Sequence, residues 1–245
     1  MKAPWYRFFK QDYSGADPLF FEKGAVSGKE KIENNFDVIE NEMLEIIRSR
    51  EDALKPYRFH DSSDGRVEWQ TLPFFSWGYF FRKNAKLCPN SYKLLKSIPG
   101  VVSASLSLVE PHASVPLHRG DTNAIVRSHL GIMIPKGLPD CGFECGGEAR
   151  GWEIGRLLSF CDAQLHTAWN NTDQRRFVMI IDEMRPEYFS QQNRVCATII
   201  SAHLLLALDR IVPFYDRLPG WTLRVLSWPL ILTIRIALPI QKMLA

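Results

Sequence analysis

The sequence predicts a mainly β fold, a β-sandwich or jelly roll with flanking N- and C-terminal α-helices, and three observations lead there. Residues 102–108 and 125–134 alternate apolar and polar positions, the pattern of a half-buried strand. Residues 176–182 are apolar on both faces apart from the ends, as in a strand buried on both sides. Turn-forming Gly, Pro and Asn clusters at 111–116, 120–123, 135–151 and 170–173 separate short strands, with none of the regular β-α alternation of a parallel sheet.

In chain order, residues 1–30 are aromatic-rich and broken by Pro4, Gly15, Pro18 and Gly24, so they read as an arm packed on a body. From residue 36 a helix is expected. Phe36, Ile39, Met43, Ile46 and Ile47 fall on one face, carboxylates lie opposite, and Arg48 and Arg50 close the end. Turns and irregular chain are expected until Pro89, where Asn90 or Ser91 would cap a short helix with Leu94, Leu95 and Ile98 inward; Pro99-Gly100 ends it.

In the first strand Val102, Ala104, Leu106 and Leu108 share a face opposite Ser103, Ser105 and Ser107. In the second, Arg127, His129 and Gly131 oppose Val126, Leu130 and Ile132. In a barrel, such alternate positions converge in the lumen from different strands. Ser107, Arg127, His129, His166 and Arg176 are expected to do so.

After Pro186 the character turns helical. Residues 193–210 form a broadly apolar helix, and residues 221–245 a second apolar segment interrupted by Pro229 and Pro239 and carrying Arg224, Arg235 and Lys242. Neither is expected to offer the ~20 uninterrupted apolar residues of a spanning helix. These segments are expected to cap the barrel, to join two copies, or to touch a membrane surface with Trp221 and Trp228 as anchors.

The 245 residues, 46% hydrophobic and 23% charged, suffice for one domain with a full core. A net charge of +3 with interspersed signs points away from nucleic acid. Residues 1–10 lack the apolar run of a secretory signal, so the mature chain is expected to begin here. Cys88, Cys141, Cys145, Cys161 and Cys196, an odd number at irregular spacing, suggest reduced thiols and a cytoplasmic protein. Cys141 and Cys145 lack the second close ligand pair usual in structural zinc sites.

The candidate site centres on His118 and His166, with Arg127 and Arg176. Two imidazoles with two interior guanidiniums are the inventory of a metal site that also holds a dicarboxylate. Neutral imidazole is a good ligand for a divalent transition metal. Arg176, entering an interior on a strand buried on both faces, needs an anionic partner. His112 could compete as a ligand but reads as a loop residue, and His60 and His203 carry no expectation.

The runs Leu117-His118-Arg119-Gly120-Asp121-Thr122-Asn123, Arg127-Ser128-His129-Leu130-Gly131, Gly146-Gly147-Glu148, Trp152-Glu153, and Asp162 through Trp169-Asn170-Asn171 and Arg176 to Asp182 resemble the aspartyl/asparaginyl β-hydroxylase family. The resemblance covers residues 70–187. It divides the chain into residues 1–69, an arm and helices on the core; 70–187, a double-stranded β-helix (cupin-like) dioxygenase core; and 188–245, apolar helices. It implies iron(II), 2-oxoglutarate and O2 as cofactors and cosubstrates. By position, His118 and His166 match the family's iron ligands, Ser107 and Arg176 the groups holding the distal carboxylate of 2-oxoglutarate, and Arg127 and His129 groups near its metal-bound end. Gly120 stands where the usual triad has a carboxylate, leaving water or Asp121 for that position; Asp121, one residue late, reads as a turn residue. The implied substrate is the β-carbon of Asp or Asn, free or in a peptide, or else the 2-position of an acyl chain of a bacterial membrane lipid, which the apolar C-terminal segments favour. A non-catalytic ligand-binding barrel is the third reading. A protein on the inner face of a membrane, held through residues 190–245 or dimeric through them, is compatible with all of this.

Overall fold

The structure, a computed structural model, describes residues 3–22, 26–57 and 68–244; His60 and Gly24 lie outside them. Helices α1 (Lys29–Glu33) and α2 (Phe36–Ser49) precede strand β1 (Lys55–Pro56). Then come β2 (Trp69–Ser76), β3 (Tyr79–Phe80), α3 (Arg82–Ala85) and α4 (Pro89–Lys96). Eight strands follow without a helix between them: β4 (Val101–Val109), β5 (Ala113–His118), β6 (Ile125–Met133), β7 (Cys141–Cys145), β8 (Glu148–Arg150), β9 (Leu157–Phe160), β10 (His166–Asn170) and β11 (Arg176–Met184). Two helices end the chain, α5 (Gln192–Asp209) and α6 (Gly220–Leu244).

The eight strands pair from the outside inward: β4 with β11, β5 with β10, β6 with β9 and β7 with β8, all antiparallel. This nested pairing is a long hairpin wound on itself, which is a jelly roll, or double-stranded β-helix. It gives a large sheet, β1-β2-β4-β11-β6-β9 with β3 beside β2, facing a small one, β5-β10-β7-β8. The flanking helices and mainly β core are as the sequence predicts.

Strict alternation decides what faces where. Leu106 and Leu108 of β4, Leu130 and Ile132 of β6, and Phe177 and Met179 of β11 meet Ile39, Met43 and Ile46 of α2 and Leu95 of α4 in one core. The opposite side chains turn inward, so the serine row of β4 and the Arg127–His129 face of β6 belong to the lumen. A second core, with Phe143, Trp152, Phe160 and Val178, fills part of that lumen. A third joins the arm residues Tyr6, Phe8 and Phe9 to Ile125, Met184, Val195 and Ile199.

Five expectations need correction. Residues 69–76 are a strand, not irregular chain; Pro73 sits where the register with β4 shifts, a place where the ladder tolerates its missing N–H. Residues 113–118 also form a strand, with Pro116 on the exposed edge of the small sheet. The Gly-rich stretch 135–151 hides the β7–β8 hairpin, turned by Gly146 and Gly147 at φ +60° and +87°. Helix α4 is capped neither by Asn90 nor by Ser91: Pro89 opens it, and the Glu42 carboxylate of α2 accepts from the backbone N–H groups of both residues at 2.9 and 2.8 Å.

The C-terminal segment departs most. Pro229 and Pro239 lie inside one continuous helix, and Gly220–Gln241, 22 residues, is long and apolar enough to cross a membrane by length and composition. All five cysteines are free and buried.

Candidate active site

His118 ends β5 and His166 begins β10, and the two residues are direct partners in the ladder. Their ring centroids lie 4.2 Å apart. Each Nδ1 is 2.8 Å from a backbone carbonyl two residues earlier, Pro116 for His118 and Gln164 for His166. A carbonyl only accepts, so Nδ1 carries the proton and each Nε2 offers a lone pair. Burial holds the pKa of His118 below its ordinary value and that of His166 well below it, the closeness of the two rings disfavouring a second proton on His166. Both rings are therefore in the neutral form that binds a metal.

The next inward positions line the same cavity, of about 30 Å³: Ser107, Arg127, His129 and Arg176, together with Trp69 and Phe143. All six sequence-predicted site residues thus converge. Arg176 is 2% exposed, and its Nε is a buried atom with no hydrogen-bond partner. Its guanidinium lies 4.6 Å over the Trp152 ring, and burial pushes its pKa down to about 10. Trp152 Nε1 also donates to His129 Nδ1 at 3.3 Å, so the neutral His129 carries its proton on Nε2. Burial and then the Arg176 charge keep that ring well below its ordinary pKa.

Arg127 is engaged differently. Its Nε and Nη2 donate to the two oxygens of Asp182 at 2.7 and 2.9 Å, and its Nη1 donates to Asp162 at 2.6 Å. Three of its five N–H groups are thus committed to protein carboxylates. Asp162, fully buried, lies with Oδ1 3.8 Å from His166 Nε2. A Cβ placed on Gly120 would sit only 1.6 Å from Asp162 Oδ2. The space that a side chain at 120 would occupy is filled by Asp162. Burial raises its carboxyl to about 7, Arg127 opposing and Asp182 and Asp121 adding to the rise.

Asp121 points elsewhere, to His203 of α5 at 2.9 Å and Arg7 at 3.5 Å. His112 is exposed and 2.9 Å from Asp173. Among the described residues no group of three His, Cys, Asp or Glu side chains forms a metal-binding cluster. Sequence reasoning missed Trp69, whose Nε1 donates to Ser107 Oγ at 3.0 Å, and assigned no role to Trp152 or Asp162. Asp162 carried a signal, standing four residues before His166. A larger groove, about 880 Å³, lies away from the histidines beside Glu30, Glu33 and Arg156, where Glu33 and Arg156 pair with each other.

The profile of the family described as Aspartyl/Asparaginyl beta-hydroxylase matches residues 33–186. The chain belongs to this family. Among curated relatives, the family member named ornithine lipid ester-linked acyl 2-hydroxylase from Rhizobium tropici is 30% identical over 175 residues, covering 69% of this chain and 62% of that protein. The mouse aspartate beta-hydroxylase domain-containing protein 2 is 31% identical, covering 69% of this chain and 51% of the relative. The human aspartyl/asparaginyl beta-hydroxylase is 28% identical over 71% of this chain and 23% of its own length. The chain therefore spans about half to three-fifths of the first two relatives and a quarter of the third. Among solved structures, AviO1 from Streptomyces viridochromogenes covers 69% of this chain and 90% of that one, with 11% identity and a TM-score of 0.42. The relatives are hydroxylases by name, and membership of the family supports an enzyme.

Proposed function

We propose that this protein is an iron(II)- and 2-oxoglutarate-dependent hydroxylase acting on a CH2 group adjacent to a carbonyl carbon. The observation that carries it is the buried Arg176, with its orphaned Nε, in one cavity with two histidines that both present bare Nε2 atoms. A guanidinium in that state calls for a carboxylate, and a far carboxylate beside a metal is what a metal-chelated 2-oxo dicarboxylate provides.

His118 and His166 would hold the metal. Arg176 and the Ser107 hydroxyl would hold the distal carboxylate, and the Nε2–H of His129 is a donor for a carboxylate oxygen in the same cavity. When bound, iron(II) with 2-oxoglutarate and O2 would supply the oxidising power: one oxygen atom would enter the C–H bond, the other would enter succinate, and C1 of the 2-oxo acid would leave as CO2. Asp162, fixed by Arg127 and 3.8 Å from His166 Nε2, would orient a water beside the bound metal. Phe143, Val115 and Ile180 give the cavity an apolar wall, which strengthens each charge interaction in it.

The two activities in the relatives' names share one chemistry. The β-carbon of Asp or Asn and the 2-carbon of an acyl chain both adjoin a carbonyl carbon. The exposed apolar outer face of α6 favours the acyl substrate.

Purified protein loaded with iron(II) is expected to form succinate slowly without substrate and faster with it. His118→Ala and His166→Ala should each abolish this; undiminished succinate in either would remove the metal assignment. Mass spectrometry of Asp/Asn peptides and of a lipid extract then shows which gains one oxygen.

A further inference from the structure

Helix α6 is apolar on two opposite faces, and only one is covered. Leu223, Ser227, Leu230, Ile234 and Leu238 repeat at intervals of four and three, and this row packs on the body, with Leu223 and Ser227 fully buried. Half a turn away, Trp221, Val225, Trp228, Leu232, Ile236 and Ile240 repeat the same spacing and face outward, Trp221 at 70% exposure and Ile236 at 69%. The turn after α5 continues the surface with Ile211 at 78% and Val212.

Charge and tethering say what covers it. Residues 210–245, the turn included, contain Arg210, Arg217, Arg224, Arg235 and Lys242 against a single carboxylate, Asp216. Arg224 and Arg235 are exposed and fall on one flank of the apolar row, where the outer face meets the buried one. The helix is also fastened to the folded domain at both ends. Lys10 Nζ donates to the carbonyls of Tyr215, Asp216 and Leu218 just before it, and Gly220 lies against the Phe9 carbonyl. At the other end the Gln241 side-chain amide bonds both the N–H and the C=O of Phe80. These anchors stand ~30 Å apart along the helix, about the thickness of a bilayer's hydrocarbon. Crossing would put one anchor, and the barrel with it, on the wrong side.

We propose that the outer face of α6, with the turn before it, is a docking surface for an anionic phospholipid bilayer, on which the helix lies flat at the boundary of headgroups and acyl chains. Trp221 and Trp228 insert at that boundary, and Arg224 and Arg235 meet lipid phosphates. The same assembly touches the metal loop: His203 of α5 bonds Asp121, three residues after His118. Docking thus brings the loop beside the bilayer, and an acyl lipid is the substrate presented there. That last consequence rests on the proposed hydroxylase activity; the docking itself does not.

The test is flotation of the full chain with phosphatidylcholine vesicles, with and without phosphatidylglycerol, in the absence of iron and 2-oxoglutarate. Binding is expected to the anionic vesicles, weaker by about tenfold or more without phosphatidylglycerol. Trp221→Ala/Trp228→Ala, on the exposed face, should keep its thermal midpoint and lose affinity by roughly a hundredfold. Alkaline carbonate should release the bound protein. No vesicle binding, equal binding by the folded double variant, resistance to carbonate, or a wild-type dimer that the variant breaks without any vesicle binding would each overturn the proposal. Because the readout needs no turnover, its failure leaves the hydroxylase reading standing, and a failed succinate assay leaves the docking surface standing.

Discussion

A guanidinium with an unpartnered buried Nε works against folding unless a ligand offsets it. Arg176 is therefore a group whose removal should separate stability from function. Arg176→Met is expected to leave the apo protein as stable or more so, by up to about 2 kcal/mol in urea titration, while raising the 2-oxoglutarate requirement roughly a hundredfold or more. A destabilised variant with an unchanged requirement would mean that Arg176 is a structural residue. Asp162 behaves oppositely, since it is held by Arg127 and lies 3.8 Å from His166 Nε2. Asp162→Asn should weaken metal affinity about 10–100-fold, as loss of an outer partner of a metal site does; unchanged affinity would count against its role. Gly120→Ala should destabilise by about 1–3 kcal/mol, because its new methyl would collide with the Asp162 carboxylate.

At the scale of elements, the strands that sequence reading found are those with a clean period of two. Residues 102–108 and 125–134 alternate, and the polar side of each proved to be lumen, not solvent. The strands it missed carry residues that disguise the pattern: Pro73 in β2, Pro116 in β5, and the glycines around the β7–β8 hairpin. The helix start at Pro89 was misread for another reason. Its cap comes from Glu42, 47 residues upstream of Pro89, and no local window contains it. Glu42→Ala should therefore cost about 1–2 kcal/mol, measured by thermal melting, although Glu42 lies far from α4 in sequence. Pro229 and Pro239 argued for interruption, yet α6 continues through them. A proline removes one N–H and leaves the remaining turns to be held by packing, which the inner row of α6 provides.

For the whole molecule, alternation on three strands sends apolar side chains to the helical layer and ionisable ones into one lumen, so the site is a by-product of how the jelly roll builds its core. The converging residues were legible because each occupies an inward position of a recognisable strand or a motif of the family; their partners across the lumen were not, since register is a property of pairing. Burying those groups makes stability depend on pH. Burial depresses the pKa values of His118, His129 and His166, so below about pH 6.5 the unfolded chain binds protons that the folded chain refuses, and stability falls on acidification. Asp162, raised to about 7, opposes this, its contribution being full below about pH 4 and lost as pH rises through its folded value. Three imidazoles against one carboxyl leave a net loss. The metal-free protein should melt at a lower temperature at about pH 5 than at about pH 7, and a higher midpoint at the acid end would contradict the burial argument.

The central claim is that two histidines and one buried arginine hold a metal-chelated 2-oxo dicarboxylate. Anaerobic titration of the iron(II) protein with 2-oxoglutarate, followed by the visible charge-transfer band of an iron(II)-bound 2-oxo acid, tests it directly. The band should grow to saturation in the wild type, fail to form in His118→Ala and His166→Ala, and need roughly a hundredfold more 2-oxoglutarate in Arg176→Met. A band of equal intensity and midpoint in all four proteins, or none in the wild type, would contradict the account.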